Sequence, residues 1–376
     1  MTNTIDRIID LAIRIQQIPA PTFDEAKRAE FVKDLFVSEG LQDVTIDEAG
    51  NVYGRWTNNE GSRTKAKPLI VSAHLDTVFP LEMDLSVNRE DNKVFGIGIG
   101  DNSLGVAALF GLLWLLRERL PSPQPSPIGG GGQDIWFVAN TCEEGLGDLN
   151  GMKSVVDRFG DDVLAYLVLE GMAFGHVYHK AVGVKRYRVT ARTQGGHSWS
   201  DYGQPSAVLE LSRLIGQLTM LKLPSRPRTT MNVGRIHGGT SINVIPAEAW
   251  LELDLRSEGP DELAKLVSDV EMLIESASMP KVHVEAQVIG ERPAGEMSPD
   301  HPFIKLAKNC LKEQGVNAVL TSGSTDANIP LSKGYPALVL GVSTGGGAHT
   351  KNEFINTEYV GRGMEQLVNF VEKVRG

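Results

Sequence analysis

Cysteine is nearly missing from this chain: Cys142 and Cys310 stand alone among 376 residues, far apart and in no CxxC or Cys/His finger spacing. A disulfide framework is therefore excluded, and Cys142 reads as a small hydrophobe in packing. Positive charge is also in short supply. Lys+Arg number 37 against Asp+Glu 47, for a formal net charge of -10 and a pI near 5.4, and no Lys/Arg run occurs. Such a surface repels phosphate backbones, so no nucleic-acid partner is expected. The acidity reads either as ordinary surface charge or as carboxylates that bound cations neutralise. No apolar run is long either: the longest, over 106–116, is too short to cross a bilayer. The segment 1–15 mixes charged residues among its isoleucines and lacks the uninterrupted apolar stretch of a signal peptide. The expectation is a soluble, cytoplasmic chain with no membrane partner.

What is present is the balance of a globular protein, with 41% hydrophobic and 22% charged residues. The length exceeds what one hydrophobic core usually sustains, so two domains are expected. Ile5, Ile8, Ile9, Ala12 and Ile15 follow helical spacing behind Thr4 as a possible cap, and Pro19 and Pro21 end the pattern. A second helix over 23–38 leads to short strands at 44–46 and 52–55, then to a continuous apolar run at 69–73 that suits a central buried strand. A buried helix over 106–117 and buried strands at 135–140 and 165–169 continue the alternation, which argues for a layered α/β domain. The Pro- and Gly-rich stretch 120–133 reads as a loop insertion. From residue 182 the texture changes to strands at 185–193, 229–236 and 249–256, interleaved with helices over 205–221 and 260–278. The chain then returns to a helix over 302–314, a strand at 337–341 and a closing helix over 357–374. Residues 1–181 and 292–376 are thus expected to build one α/β domain, with 182–291 inserted as a compact α+β unit.

The chemistry-bearing residues collect at the ends of the buried strands. The run 69–73 delivers His74 and, two residues on, Asp76 to one face of a strand end, where one side chain can ligate a cation and the other orient it. Alone, this pair also fits a structural histidine at a turn. A glycine-rich approach then places Asp101 before an apolar helix; the plain alternative is an N-cap, and the absence of a Walker lysine and of GxGxxG spacing argues against a phosphate loop. The strand at 135–140 ends in Glu143-Glu144, adjacent carboxylates that repel unless something cationic relieves them. The strand at 165–169 delivers Glu170 in the same way, and Gly345-Gly-Gly-Ala-His349 brings a histidine on a flexible backbone. Mixed histidine and carboxylate donors at strand ends fit a borderline divalent cation such as zinc, and the carboxyl ends of strands are where α/β sites gather.

In chain order, Ser72-Ala-His74-Leu-Asp76-Thr77, Gly100-Asp101, Glu143-Glu144, Leu169-Glu170, Gly195-Gly-His197-Ser198, Ser241-Ile-Asn243-Val-Ile-Pro246-Ala and Gly347-Ala-His349 resemble the successive motifs of the M20 family of metallopeptidases and deacylases. The resemblance implies a three-layer, zinc-peptidase-like α/β catalytic domain with an inserted α+β lid that also makes a homodimer. It implies two divalent metal ions, zinc first and cobalt or manganese as alternatives. His74 and Glu170 would hold one, Glu144 and His349 the other, and Asp101 would bridge them. Asp76 would orient His74, Glu143 would be the general base, and His197 would reach the partner subunit's site to stabilise the oxyanion. Asn243, Arg256 and Thr325 match substrate-side positions. The family often places an acidic residue after its bridging carboxylate, across a cis peptide; here Asn102 stands. The runs Ser-Thr-Asp-Ala-Asn-Ile-Pro and Gly-Gly-Gly-Ala-His are more similar to the peptidase-type members, including aminopeptidases, than to deacylases of N-acyl amino acids such as acetylornithine deacetylase or succinyl-diaminopimelate desuccinylase. A relative that binds metal and ligand without turnover is the reading from another class, and Glu143 argues against it, since a binding module needs no such carboxylate.

Overall fold

A computed structural model describes residues 2–57, 66–119 and 134–375. The expected loop insertion over 120–133 lies outside the described residues. Two compact units divide the chain: Met1–Lys180 with Glu296–Gly376, and Ala181–Gly295.

The first unit is built on a mixed sheet, nine-stranded among the described residues. At its centre Leu69–His74 lies parallel to both Ile135–Asn140 and Ala165–Glu170, and Ala165–Glu170 lies parallel to Ala337–Gly341. These strands are apolar almost throughout because helices cover both faces of a parallel sheet. Register brings their carboxyl ends level, with His74 opposite Asn140 and Glu170 opposite Gly341. Val52–Trp56 and then Gln42–Ile46 extend one side in antiparallel fashion. The expected α/β class holds.

Helix Leu104–Arg119 is the core helix of this unit, and every residue from Leu104 to Leu116 is buried. With the irregular turn before it, the helical run Ile99–Arg119 reaches 21 residues, long and apolar enough to cross a membrane by length and composition. The expectation that this stretch is too short is therefore corrected; its burial against the sheet marks it as a core helix. Two boundaries are corrected as well. The first helix spans Thr2–Gln16, so Thr4 lies inside it and its hydroxyl donates to Glu118 at 3.3 Å instead of capping. The second helix starts only at Ala26, because Phe23 has a φ of 77°, which breaks helical geometry. Helix Asn150–Phe159 and strand His176–Ala181 were not foreseen.

The second unit has a four-stranded antiparallel sheet in the order Thr229–Gly238, Glu248–Ser257, Gly183–Thr193, Val282–Arg292. Helices Ala207–Leu218 and Pro260–Ser276 cover one face. Tyr187, Val189, Ala191, Leu251, Leu253 and Leu255 alternate inward to meet Leu211, Leu214, Leu266 and Val270. Edge strand Val282–Arg292 escaped the sequence reading because a bulge at Val288/Gly290 breaks its alternation and most of its middle is exposed. A separate two-stranded ribbon pairs Gly196–His197 with Val244–Ile245.

Candidate metal centre

Each donor reaches the site because a buried strand or a pinned loop delivers it. His74 ends its strand fully buried; its Nδ1 lies 3.1 Å from the carbonyl oxygen of Asp76 and 3.5 Å from that residue's carboxylate, which aims Nε2 at Asp101 Oδ1, 3.0 Å away. The other oxygen of Asp101, Oδ2, lies 3.1 Å from His349 Nε2, which also lies 2.9 Å from Glu144 Oε1. Glu170 Oε2 sits 4.0 Å from His74 Nε2. The donor atoms fall into two groups, His74, Asp101 and Glu170, and Asp101, Glu144 and His349, each with all its atoms within 4.8 Å of one another. Asp101 is common to both.

The loops approach closely. A Cβ at Gly171 would lie 2.1 Å from the carbonyl oxygen of Gly100, so only glycine lets the Glu170 strand end pass the Asp101 loop. The peptide Asp101-Asn102 is cis. Asn102 donates to the carbonyl of Leu169 at 2.8 Å and accepts from the N–H of Gly171 at 2.9 Å, gripping the chain on both sides of Glu170. Glu143 is buried at the same corner, and its carboxylate belongs to neither group.

Electrostatics make this cluster hungry for positive charge. Burial, with the carboxylates of Asp101, Asp326 and Glu144 nearby, pushes Glu170 up to about 8 against the pull of His74. Burial alone would lower His74, but Asp101 and Asp76 outweigh it and raise it well above the usual range. Hydrogen bonds to Asp101 and Glu144 raise His349 to about 10. Asp101 is held far below the usual carboxylate range, because the two histidines outweigh its burial. So many buried carboxylates on one spot cost repulsion that protons or cations must relieve, and imidazole plus carboxylate oxygen is a donor set that divalent metals accept. The residues present fit metal ions.

Of the remaining sequence candidates, Thr325 belongs to the first unit and His197, Asn243 and Arg256 to the second. Thr325 opens the short helix Asn328–Ser332: its N–H donates to Asn328 Oδ1 at 2.9 Å and its hydroxyl accepts from Ala327. In the second unit, His197 and Asn243 lie on the two sides of the ribbon, where Ser198 N–H donates to the Asn243 carbonyl at 3.0 Å. His197 Nδ1 accepts from the N–H of Trp199 at 3.2 Å, so the ring proton resides on Nε2 and that nitrogen is a donor. Arg256 is in the four-stranded sheet, ion-paired at 2.6 Å with Asp254, which also takes Arg186 at 2.8 Å. Sequence reasoning passed over Asn102 as a gripping residue and Glu353, which accepts three N–H groups of the Asp101 loop. An isolated acid four residues past His349 was the sequence signal for the latter.

The model of Peptidase family M20/M25/M40 matches residues 70–373. The chain belongs to this family. Within the M20/M25/M40 group, the succinyl-diaminopimelate desuccinylase of Corynebacterium glutamicum is 26% identical over 272 residues, 70% of this chain and 69% of its own. A tripeptidase from Staphylococcus aureus has the same fold, with a TM-score of 0.81 over 99% of this chain and 98% of its own at 22% identity. So does YXEP of Bacillus subtilis, a dinuclear metal-binding M20 peptidase, with a TM-score of 0.70 over 100% and 99% at 15% identity. Membership makes this chain a hydrolase.

Proposed function

We propose that this M20 hydrolase cleaves the amide bond of short peptides with two divalent cations, zinc in the first instance. The observation that carries the reading is the carboxylate of Asp101, which turns one oxygen to each histidine, at 3.0 and 3.1 Å. His74 and Glu170 would hold one cation, Glu144 and His349 the other, and Asp101 both. When bound, such a pair supplies Lewis acidity that acidifies water and polarises an amide carbonyl.

The protein's own groups do the rest. Glu143, buried beside the donors and outside both groups, takes a proton from the attacking water and returns it to the leaving amine nitrogen. Asp76 supports His74 and the Glu143-Glu144 corner together. His197, with its proton on Nε2, donates to the oxyanion from a partner subunit, the second unit serving as lid and dimerisation domain. By their match to the family's substrate-side positions, Arg256, Asn243 and Thr325 would contact substrate, where guanidinium suits a carboxylate terminus. Two free, buried cysteines suit a cytoplasmic protein.

A second reading, hydrolysis of N-acyl amino acids, is favoured by the desuccinylase relative. Incubating the metal-loaded protein with a mixed panel of di- and tripeptides and N-acyl amino acids, with products followed by mass spectrometry, separates the two. Cleavage of peptides alone is expected; cleavage of acyl substrates alone establishes the second reading. A fully loaded protein that cleaves neither is a binding relative.

A further inference from the structure

Glu353 is fully buried, and its carboxylate belongs to neither donor group. One oxygen accepts the N–H of Gly98 at 2.8 Å; the other accepts those of Gly100 and Asp101 at 2.8 and 2.9 Å. Its own carbonyl accepts the N–H of Gly96 at 3.0 Å. Glu353 therefore supplies four of the bonds that hold the loop presenting Asp101, beside those of Asn102 and of Gln16, whose Nε2 donates to the Ile97 carbonyl at 3.0 Å.

Glu353 also closes the turn carrying His349. Thr350 N–H donates to the Gly347 carbonyl at 3.0 Å, its hydroxyl donates to the same oxygen at 2.7 Å, and Glu353 N–H donates to the Thr350 carbonyl at 3.3 Å. Gly347 makes the turn with a φ of 71°, and a Cβ there would lie 2.6 Å from the Asn352 carbonyl oxygen. Asp101 and His349, which meet at 3.1 Å, are thus referenced to the same short stretch of chain. Three N–H donors converge on the two carboxylate oxygens of Glu353, so in this geometry the side chain serves as acceptor to all three.

We propose that Glu353 is a positioning residue for the whole metal centre: it pins the shared ligand Asp101 to the His349 turn and so preforms both cation sites. The proposal rests on the two-cation reading above. Glu353→Gln is the direct test, since its amide NH2 would turn a donor toward one of the converging N–H groups. Zinc affinity by equilibrium dialysis and the absorption spectrum of the cobalt-loaded protein are measured beside the melting temperature. At a temperature where the variant is folded, both sites are expected to bind about 10–100-fold more weakly, with an altered cobalt spectrum. A lower melting temperature with both affinities and the spectrum unchanged would mean a purely structural acid and overturn the proposal, as would weakening of one site only.

The wild type supplies a second measurement that needs no variant. Residue-resolved amide exchange of Gly98, Gly100 and Asp101 is compared in metal-loaded and chelator-stripped protein. Protection in both states is expected, since Glu353 and not the metal holds the loop. Loss of protection on stripping, with the strands still protected, overturns it. A wild type that takes up fewer than two cations refutes the two-cation reading itself, an outcome distinct from either of these.

Discussion

Asp76 accepts the backbone N–H of Glu143 at 2.9 Å on one carboxylate oxygen, while its other oxygen accepts the N–H of Glu144 at 2.9 Å and the hydroxyl of Thr22 at 2.8 Å. A residue that sequence spacing pairs with His74, 3.5 Å from its carboxylate, thus makes closer bonds to the neighbouring strand's corner and to Thr22. Asp76→Asn keeps one acceptor but turns an NH2 toward a backbone N–H. Activity is expected to fall about 10–100-fold with the fold intact; wild-type kcat/KM in the variant would show that the corner is held by other means.

Glu143→Gln is expected to abolish turnover while the protein still binds two metals per chain, because the residue moves protons and does not ligate. Elemental analysis of the purified variant decides it. Loss of a metal would make Glu143 a ligand and exchange its role with that of Glu144.

His349→Ala removes the donor that reaches both Asp101 and Glu144. Occupancy of one metal should drop, and with it the melting temperature in the presence of metal, since a cation that binds only the folded state stabilises it by mass action. Full occupancy with unchanged melting rejects the residue as a ligand.

His197 in trans is tested by complementation. Homodimers of His197→Ala and of Glu143→Gln, each inactive, are mixed under conditions that exchange subunits. Part of the activity should return, because each heterodimer holds one site with an intact Glu143 and a partner-supplied His197. Proven exchange without recovery places His197 in its own chain or outside the reaction.

Away from the centre, burial would raise Asp47, but hydrogen bonds from Tyr53, Asn51 and Ser154 outweigh it and hold it below its ordinary value. A depressed carboxylate stabilises the fold above its unfolded pKa, and that contribution is lost as pH falls from about 3.8 through the folded pKa. Tyr53→Phe removes the 2.7 Å bond to Asp47 and should cost about 1 kcal/mol at neutral pH, the site being partly open to solvent. Less of that difference should remain in strong acid. Urea unfolding at several pH values reads this directly; a difference independent of pH would show that Asp47 is not the partner that matters.

Much of the site was legible in sequence because parallel strands buried on both faces write themselves as apolar runs. The candidate ligands His74, Glu144 and Glu170, and Glu143 beside them, stand at the ends of such runs or within a few residues of them. Their chemistry also stands out locally: adjacent glutamates after a buried strand have few structural uses. The strands of the second unit were readable for the same reason where one face packs on helices, and unreadable at the bulged edge strand Val282–Arg292.

What the amino-acid order determined by itself was the set of candidate donors, the family and the α/β class, since each depends on residue type and short-range pattern. Only the tertiary structure decided that Asp101 divides its oxygens between His74 and His349, that Asn102 grips both sides of Glu170, and that Glu353 holds the loop between them. Those relationships join residues up to 255 positions apart, through contacts between side chains or between a side chain and distant backbone. Such bonds have no period and require no particular neighbour in sequence, so they exist only once the sheet has brought its strand ends together.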